Sequence, residues 1–363
     1  MRGRVRLAAA LAALTGLAGS DASDALAADP KVDRRLLAGP VLAGTRSAWV
    51  EMPRGRRAAQ RVRLGTGGAG VRTVFTARPS RTIGALAGST ERLAFDFRDS
   101  RDEGRSGVQY TPHLMAGPPN GPFRELPSNC ADSRTAVLDG SLLGAIEPGE
   151  SNCNGQAPNS GMVIRDLAAG SSQVLPHATY QIWTESRLAV AGRYVAYADL
   201  STRRTTVTVV DRTTGTVLYR SEPLFDNGTL AFDLQPDGKL AILHEDIGRR
   251  RNELLWYSPD AIPHALRQVG CRPAVRLAGD RIVVDQLVSR DRYNLALIGL
   301  DGRARVLARF GPTRGGGTRE RVGTFDFDGQ RVTWAQREKV MRGTGSSRRR
   351  VTLPTRVLVR RVP

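Results

Sequence analysis

The residues that could carry out catalysis in this chain are few, and they form no nucleophilic motif. The four histidines are His113, His177, His244 and His264, and no Gly-x-Ser-x-Gly sequence places a serine on a nucleophile elbow. His244, in the triplet His-Glu-Asp, is the best placed of the four, although each histidine is expected at a loop or a strand end. The sequence therefore predicts no catalytic residue.

Metal and phosphate motifs are also missing from the sequence. No His-Glu-x-x-His or Cys-x-x-Cys occurs, and Asp328-Gly329 is not followed by the dozen-residue loop of an EF-hand. The segment GTGGAG, from Gly65 to Gly70, lacks the Lys-Ser/Thr of a P-loop and precedes no helical pattern. We interpret it as a hairpin loop between outer strands, and we predict no metal or cofactor site.

Carboxylates leave one catalytic alternative open. Any two loops can bring two acids together, and spacing along the chain does not reveal such a pair. A propeller-type glycan hydrolase or lyase would need two loop carboxylates about 5 to 10 Å apart in a central pocket. This alternative is therefore a question for the structure.

The elements that must position these residues are best seen between Thr229 and Asp246. This stretch, TLAFDLQPDGKLAILHED, predicts two short strands joined by a Pro-Asp-Gly turn. Its glycine, Gly238, has counterparts in six similar stretches, and successive glycines are 41 to 52 residues apart. That spacing is typical of four-stranded propeller blades. The counterparts are Gly44, Gly88, Gly140, Gly192, Gly279 and Gly329.

The glycines are expected in hairpin turns, because such turns need a residue at positive φ. Aspartates stand at or beside the same position in several copies, and their carboxylates are expected to accept hydrogen bonds from the amides of the turn. These aspartates are Asp139, Asp237, Asp280 and Asp328.

Two further strand-like runs follow each hairpin, so the fold class predicted is all-β: a seven-bladed β-propeller of four-stranded antiparallel blades. The last unit has inner strands at 322–327 and 330–336 but only one convincing outer run, TRVLVRRV, near the C-terminus. The segment Val32 to Leu37 has no partner of its own. We expect it to join the last blade and close the ring, which would remove an exposed strand edge.

The segment LQPDGKLAIL, from Leu234 to Leu243, resembles the Pro-Asp-Gly hairpin of PD40 repeats in TolB-like propellers, which are related to WD40-like folds. The other six copies keep the glycine but lack Pro-Asp. Members of this family range from interaction scaffolds to domains appended to peptidases. The resemblance therefore implies architecture more than activity.

The first 27 residues are predicted to be a signal peptide. Arg2, Arg4 and Arg6 precede the apolar run Leu7–Leu17, and Ala25-Leu26-Ala27 provides small residues for cleavage. We expect residues 28–363 to form a single propeller domain that is secreted or otherwise extracytoplasmic, with no transmembrane segment after cleavage.

Export allows cysteines to oxidise, and the repeat predicts which two would pair. Cys130 lies just before the inner strand of the third unit, and Cys153 lies in the loop after that unit's second strand. Two strands that run out and back return the chain to the same side. We therefore predict a Cys130–Cys153 disulfide and a free Cys271.

The net charge is +19, and 51 of the 54 basic residues are arginine. Codon bias would explain this without any functional role, whereas attraction to a polyanion would give the charge a function. In a four-stranded meander, the loops between second and third strands all leave on one side. The predicted binding residues in those loops are Arg54, Arg56, Arg57, Arg203, Arg204, Arg249, Arg250, Arg251, Arg290 and Arg292.

Further arginines share these loops, namely Arg98, Arg101, Arg105, Arg342 and Arg348 to Arg350, together with acids that would neutralise part of the charge. The leading hypothesis is a non-enzymatic, monomeric, secreted scaffold that binds a protein or an anionic cell-surface polymer through this Arg-rich side. No specific nucleic-acid motif occurs.

Overall fold

The structure is a computed structural model, and it describes most of the chain after the predicted signal peptide. The described residues are 29–362, except for the segments 33–34, 54–57, 67–68, 80, 100–112, 127–131, 148–160, 176–187, 200–204, 223, 225–230, 247–250, 261, 269–273 and 345–346. Every element named below lies within them. No helix in this part of the chain is long and apolar enough to span a membrane.

Six groups of strands form antiparallel four-stranded meanders, which we call blades, and in a last group the third and fourth strands both pair with the second. Blade 1 contains β1 (Arg35–Ala43), β2 (Arg46–Met52), β3 (Arg61–Thr66) and β4 (Ala69–Thr76). Blade 2 contains β5 (Arg81–Gly88), β6 (Leu93–Asp99), β7 (His113–Gly117) and β8 (Arg124–Leu126). Blade 3 contains β9 (Asp132–Asp139), β10 (Leu142–Glu147), β11 (Gly161–Asp166) and β12 (Ser171–Leu175). The GTGGAG segment lies where β3 passes to β4, as predicted.

The second half of the chain repeats the pattern. Blade 4 contains β13 (Leu188–Ala191), β14 (Tyr194–Asp199), β15 (Thr206–Asp211) and β16 (Val217–Arg220). Blade 5 contains β17 (Ala231–Leu234), β18 (Leu240–Asp246), β19 (Arg251–Tyr257) and β20 (Pro263–Gln268). Blade 6 contains β21 (Val275–Ala278), β22 (Arg281–Ser289), β23 (Arg292–Gly299) and β24 (Ala304–Pro312). The last group contains β25 (Thr318–Phe327), β26 (Arg331–Arg342), β27 (Arg349–Thr352) and β28 (Arg356–Arg361).

The first strands of the blades form an inner ring. Each of them contacts the first strand of the next blade, and β25 of the last group contacts β1. This closed arrangement of four-stranded sheets is a β-propeller, and it is compatible with the predicted seven blades. The last two groups are additionally joined, because Gly311 and Pro312 of β24 pair with Arg319 and Thr318 of β25.

The ring is closed by the N-terminal residues, although not by the whole segment that the sequence predicted. Val32 donates its N–H to the carbonyl of Thr355 at 2.8 Å, and Val357 donates to the carbonyl of Pro30 at 2.9 Å. The closing segment is therefore 30–32, beside β28. Residues 35–37 belong instead to β1, where their apolar side chains pack in the first blade and against the last one.

Six of the seven predicted turn glycines have positive φ, between 53° and 91°, as expected for tight hairpins. Gly88 is the exception, because it ends β5 and the turn follows it. A Cβ atom at Gly88 would lie 2.1 Å from the carbonyl oxygen of Leu42 in blade 1. This glycine is therefore needed for close packing between blades. The six turn glycines are Gly44, Gly140, Gly192, Gly238, Gly279 and Gly329.

The turn aspartates divide into two groups. Asp237 and Asp328 accept hydrogen bonds from amides of their own turns, as predicted. Asp139 instead accepts the N–H of Gly192 in the next blade at 2.8 Å, and Asp280 pairs with the ammonium of Lys239 in the preceding blade at 2.9 Å. The carboxylates of these two residues join neighbouring blades.

The core lies between successive blades, where both faces of the sheets are covered. Large side chains such as Trp49, Phe95 and Phe325 are almost fully buried there. This explains the uninterrupted apolar runs of the second strands, since a strand covered on both faces needs no alternation. The stacked blades hold their connecting loops at fixed positions on either side of the ring.

Candidate binding site

Only part of the predicted arginine set lies within the described residues. Arg290 and Arg292 stand at the β22–β23 turn and are exposed, as the loop prediction requires. Arg251 is the first residue of β19. The remaining members of the set, Arg54, Arg56, Arg57, Arg203, Arg204, Arg249 and Arg250, lie outside the described residues. So do Cys130, Cys153 and Cys271 of the predicted disulfide, and His177.

One side of the ring carries two kinds of connection. In a meander of four strands, the loop between the second and third strands and the link to the next blade both leave on the same side. Blade 6 and the last group bring three such segments together: the β22–β23 turn, the β24–β25 hairpin and the β26–β27 hairpin. We call this region the basic face. Its arginines are Arg290, Arg292, Arg309, Arg314, Arg319, Arg342, Arg348, Arg349 and Arg350.

A cavity of about 680 Å³ lies on the basic face between blade 6 and the last group, and we call it the notch. Its size falls within the range of small-molecule sites. Four arginines and four large apolar residues share its wall. The lining residues are Val288, Arg292, Asn294, Val306, Arg309, Phe310, Gly311, Pro312, Thr313, Arg314 and Arg319.

The notch is held in shape by close backbone contacts. Gly311 has a φ of 122°, and a Cβ atom there would lie 2.5 Å from the carbonyl oxygen of Asp291. The turn that carries Arg292 is thus in close contact with β24, and only glycine permits this approach. Above it, the N–H of Thr313 donates to the carbonyl of Gly317 at 3.0 Å, which closes the β24–β25 hairpin.

A second hairpin supports the first. Arg348, just before β27, donates from its guanidinium to the carbonyl of Gly315 at 3.1 Å. Gly317 in turn packs against β26, because a Cβ atom there would lie 2.2 Å from the carbonyl oxygen of Lys339. The loop that carries Arg314 therefore rests on the β26–β27 hairpin.

Two of the acids beside the notch, Glu320 and Glu338, are already paired. Arg319 donates to Glu338 at 2.8 Å, and Glu320 accepts from Lys339 at 2.7 Å and from Arg337 at 2.8 Å. Hydrogen bonds from Lys339 and Arg337 lower the pKa of Glu320, so this carboxylate stays ionised. These are the cross-strand pairs expected from β25 and β26.

Three arginines of the notch keep uncompensated charge. Arg292, Arg309 and Arg314 are exposed, and among the described residues no carboxylate lies within 4.0 Å of their guanidinium groups. Guanidinium forks of this kind bind phosphate and carboxylate in bidentate fashion. The notch therefore combines an anion-binding rim with an apolar wall.

Sequence reasoning missed most of this cluster. It considered only the loops between second and third strands, so Arg309, Arg314 and Arg319 were left out. The available signal was the segment RFGPTRGGGTRE, from Arg309 to Glu320, which links one blade to the next. Such links emerge on the same side as the loops that were counted.

Two carboxylates of the inner ring bear on the catalytic alternative. Asp233 in β17 accepts the N–H of Leu277 at 2.7 Å through Oδ2 and the N–H of Leu234 at 3.1 Å through Oδ1. Burial raises its pKa to about 6, while the nearby charge of Arg276 opposes the rise. Both oxygens of Asp233 are thus engaged by backbone groups.

Asp326 in β25 is used in the same way. It accepts the N–H of Leu42 at 2.8 Å through Oδ2 and the Nε–H of Arg276 at 2.9 Å through Oδ1. Arg276 therefore lies near both aspartates. Since the oxygens of Asp233 and Asp326 hold blades together, these two residues do not form a free acid–base pair.

Each described histidine contacts a neighbouring aromatic ring or carboxylate. His113 contacts the carboxylate of Glu125 and stacks on Phe97, with ring centroids 4.7 Å apart. His264 stacks on Trp256 at 4.3 Å. His244 is buried inside β18 rather than at a strand end, with Nε2 3.6 Å from a carboxylate oxygen of Glu253. Within the described part of the chain, no three His, Cys, Asp or Glu residues gather as a metal site.

Searches of family models and of curated protein sequences found no match to this chain. Solved structures do align with it. A structure from a study of two prolyl endopeptidases gives a TM-score of 0.53 at 16% identity, over 84% of this chain and 45% of that one. Puromycin hydrolase gives 0.51 at 15% identity, over 87% and 54%. TolB from Acinetobacter baumannii gives 0.44 at 15% identity, over 68% and 58%.

The first two alignments support the β-propeller fold, which confirms the architecture that the PD40 resemblance implied. At these identities they show the fold alone. The chain spans about half the length of the prolyl endopeptidase and puromycin hydrolase chains that it matches.

Proposed function

We propose that the protein is an exported, non-enzymatic β-propeller that binds an anionic surface polymer through its basic face. The observation that carries the proposal is the group of exposed arginines around the notch, Arg292, Arg309 and Arg314. Glu320 and Glu338 are paired with other cations, and among the described residues no ion pair joins these three guanidinium groups to a carboxylate, which leaves them available to a ligand.

A polymer suits this face because the arginines extend beyond the notch. Arg342, Arg349 and Arg350 are exposed on the adjacent β26–β27 hairpin. Arg290 is exposed on the β22–β23 turn, across the notch from that hairpin. A chain of phosphates or carboxylates can contact arginines along the whole basic face at once, whereas a single small anion reaches only those that surround it. The other eight arginines predicted from the sequence would extend the same surface around the ring.

The signal peptide predicted from the sequence would export the protein, and an anionic surface polymer would then be within its reach. The glycan hydrolase or lyase alternative gains no support from Asp233 and Asp326, because both carboxylates bind the fold. A protein partner with an acidic surface is the other ligand that this face would fit. The retention experiment below can be repeated with an immobilised acidic protein in place of heparin.

Retention on immobilised heparin across a salt gradient tests the proposal. The wild-type protein is expected to elute at high salt, and R292S/R309S/R314S is expected to elute much earlier. The matched control is R124S/R303S/R305S, which removes the same charge from exposed positions at the opposite side of the ring. Elution of the wild type at low salt, or equal elution of the two triple variants, would overturn the proposal.

A further inference from the structure

The notch has a feature that binding to a polyanion does not require: one wall is apolar and open to solvent. Val288 is 57% exposed and Val306 is 39% exposed, and both line the cavity. Val288 and Val306 belong to a small set of exposed large apolar residues in the described part of the chain. Neighbouring Leu287 is 45% exposed as well. Val288 and Val306 therefore give the cavity an exposed apolar lining beside its arginines.

The charged groups stand at the rim of the same cavity. Arg309 follows Val306 by three residues on β24, and Arg314 lies on the hairpin beyond it. Arg292 approaches from the β22–β23 turn, with its Cγ 3.0 Å from the position of a Cβ on Gly311. A ligand seated on the valines would thus place a terminal anionic group among the three guanidiniums.

The notch is supported from below by buried aromatic residues. Phe310 is buried and stacks on Tyr293 with ring centroids 4.9 Å apart, and the hydroxyl of Tyr293 accepts the N–H of Arg321 at 3.0 Å. Buried aromatic packing therefore supports the part of the cavity lining that Phe310 forms.

We infer that the notch binds an amphipathic phosphate ester: an alkyl or aryl group lies against Val288 and Val306, and the phosphate is held by Arg292, Arg309 and Arg314. This goes beyond polymer binding, because the apolar part of the ligand contributes to affinity. Phosphate is preferred over a single carboxylate, since it presents three oxygens to three guanidinium groups.

Calorimetric titration of the full-length protein with octyl phosphate, inorganic phosphate and octanol tests the inference. Octyl phosphate is expected to bind at least tenfold more tightly than either of the other two ligands. In V288S/V306S the affinity for octyl phosphate should fall to that for inorganic phosphate. In R309S/R314S it should fall to that for octanol, and R124S/R303S/R305S should behave as the wild type.

Equal binding of octyl phosphate and inorganic phosphate by the wild type would overturn the inference. Unchanged binding of octyl phosphate by V288S/V306S would do the same, because the valines would then play no part. These outcomes are separable from the heparin experiment. If the protein is retained on heparin but does not prefer octyl phosphate, only this inference fails. If it prefers octyl phosphate but is not retained on heparin, only the proposal of polymer binding fails.

Discussion

The guanidinium of Arg321 and the carboxylate of Asp285 form a buried bidentate ion pair between β25 and β22. Nε donates to Oδ1 at 3.2 Å, Nη2 donates to Oδ2, and the two side chains are 2% and 3% exposed. The guanidinium also lies over the ring of Phe325 at 5.1 Å. This pair ties the last group of strands to blade 6 and so fixes the two walls of the notch relative to each other.

Removing one member of this pair should destabilise the protein strongly. R321M is expected to lower the free energy of unfolding by about 3–5 kcal/mol, because the buried carboxylate of Asp285 would lose the neutralising charge of Arg321. D285N/R321M should recover part of this loss. The measurement is urea unfolding followed by tryptophan fluorescence. A loss below about 1 kcal/mol in R321M would contradict the structural role.

The exposed pair Arg303–Asp301 provides the control for that comparison. Its nitrogen and oxygen are 3.5 Å apart, and the side chains are 92% and 58% exposed. D301N should change the free energy of unfolding by less than about 0.5 kcal/mol, since surface ion pairs are screened by water and salt.

Deleting residues 28–32 should open the ring. The last group would lose the hydrogen bonds of Val32 and Pro30 to the β28 region, the ion pair between Asp29 and Arg360, and the buried side chain of Val32. A lower melting temperature is expected in thermal unfolding. Aggregation through the exposed strand edge is expected in light scattering. K31A, which alters only an exposed side chain, should leave both unchanged. A deletion variant that stays monodisperse with an unchanged melting temperature would refute the closure.

Asp233 should make stability depend on pH in the acidic range. Its pKa is raised from 3.8 to about 6, so the folded state favours the protonated carboxyl. The stability that this protonation contributes is fully present below pH 4 and is lost as the pH rises through 6. The free energy of unfolding of the wild type minus that of D233N should therefore decrease between pH 4 and pH 7. We expect a decrease of about 2 kcal/mol, since partial exposure reduces the full effect. A difference that is constant over this range would show that burial does not raise this pKa.

The Cys130–Cys153 disulfide stays a prediction from the sequence. Thiol titration of the unreduced, denatured protein should find one free thiol, that of Cys271, and reduction should raise the number to three. By the chain-entropy model the bond contributes roughly 3 kcal/mol. Three free thiols before reduction would exclude it.

Much of the fold could be predicted from local signals. Hairpin glycines such as Gly238 and Gly279 mark turns because only glycine adopts positive φ cheaply, and their regular spacing predicts the blades. The residues that close the ring were harder to predict. Nothing local distinguishes the closing residues 30–32 from residues 35–37, because each segment has one basic and two apolar residues and only the ring geometry decides which one pairs with β28.

The site was less predictable, because it depends on which strands lie side by side. Arg290 and Arg292 could be placed on the correct side from the meander alone. The ion pairs that neutralise Arg319 and leave Arg309 free depend on the register of β25 against β26, which the sequence does not specify. Gly88 and Asp139 show the same limit, since each contacts the neighbouring blade.

The most direct test of the account is the affinity of the protein for labelled poly(glycerol phosphate), measured by fluorescence anisotropy at several salt concentrations. The wild type and R124S/R303S/R305S are expected to bind tightly at low salt and to weaken steeply as salt increases. R292S/R309S/R314S should bind at least tenfold more weakly at low salt and show a shallower dependence. A wild-type affinity that does not change with salt, or identical curves for the two triple variants, would contradict binding through the basic face.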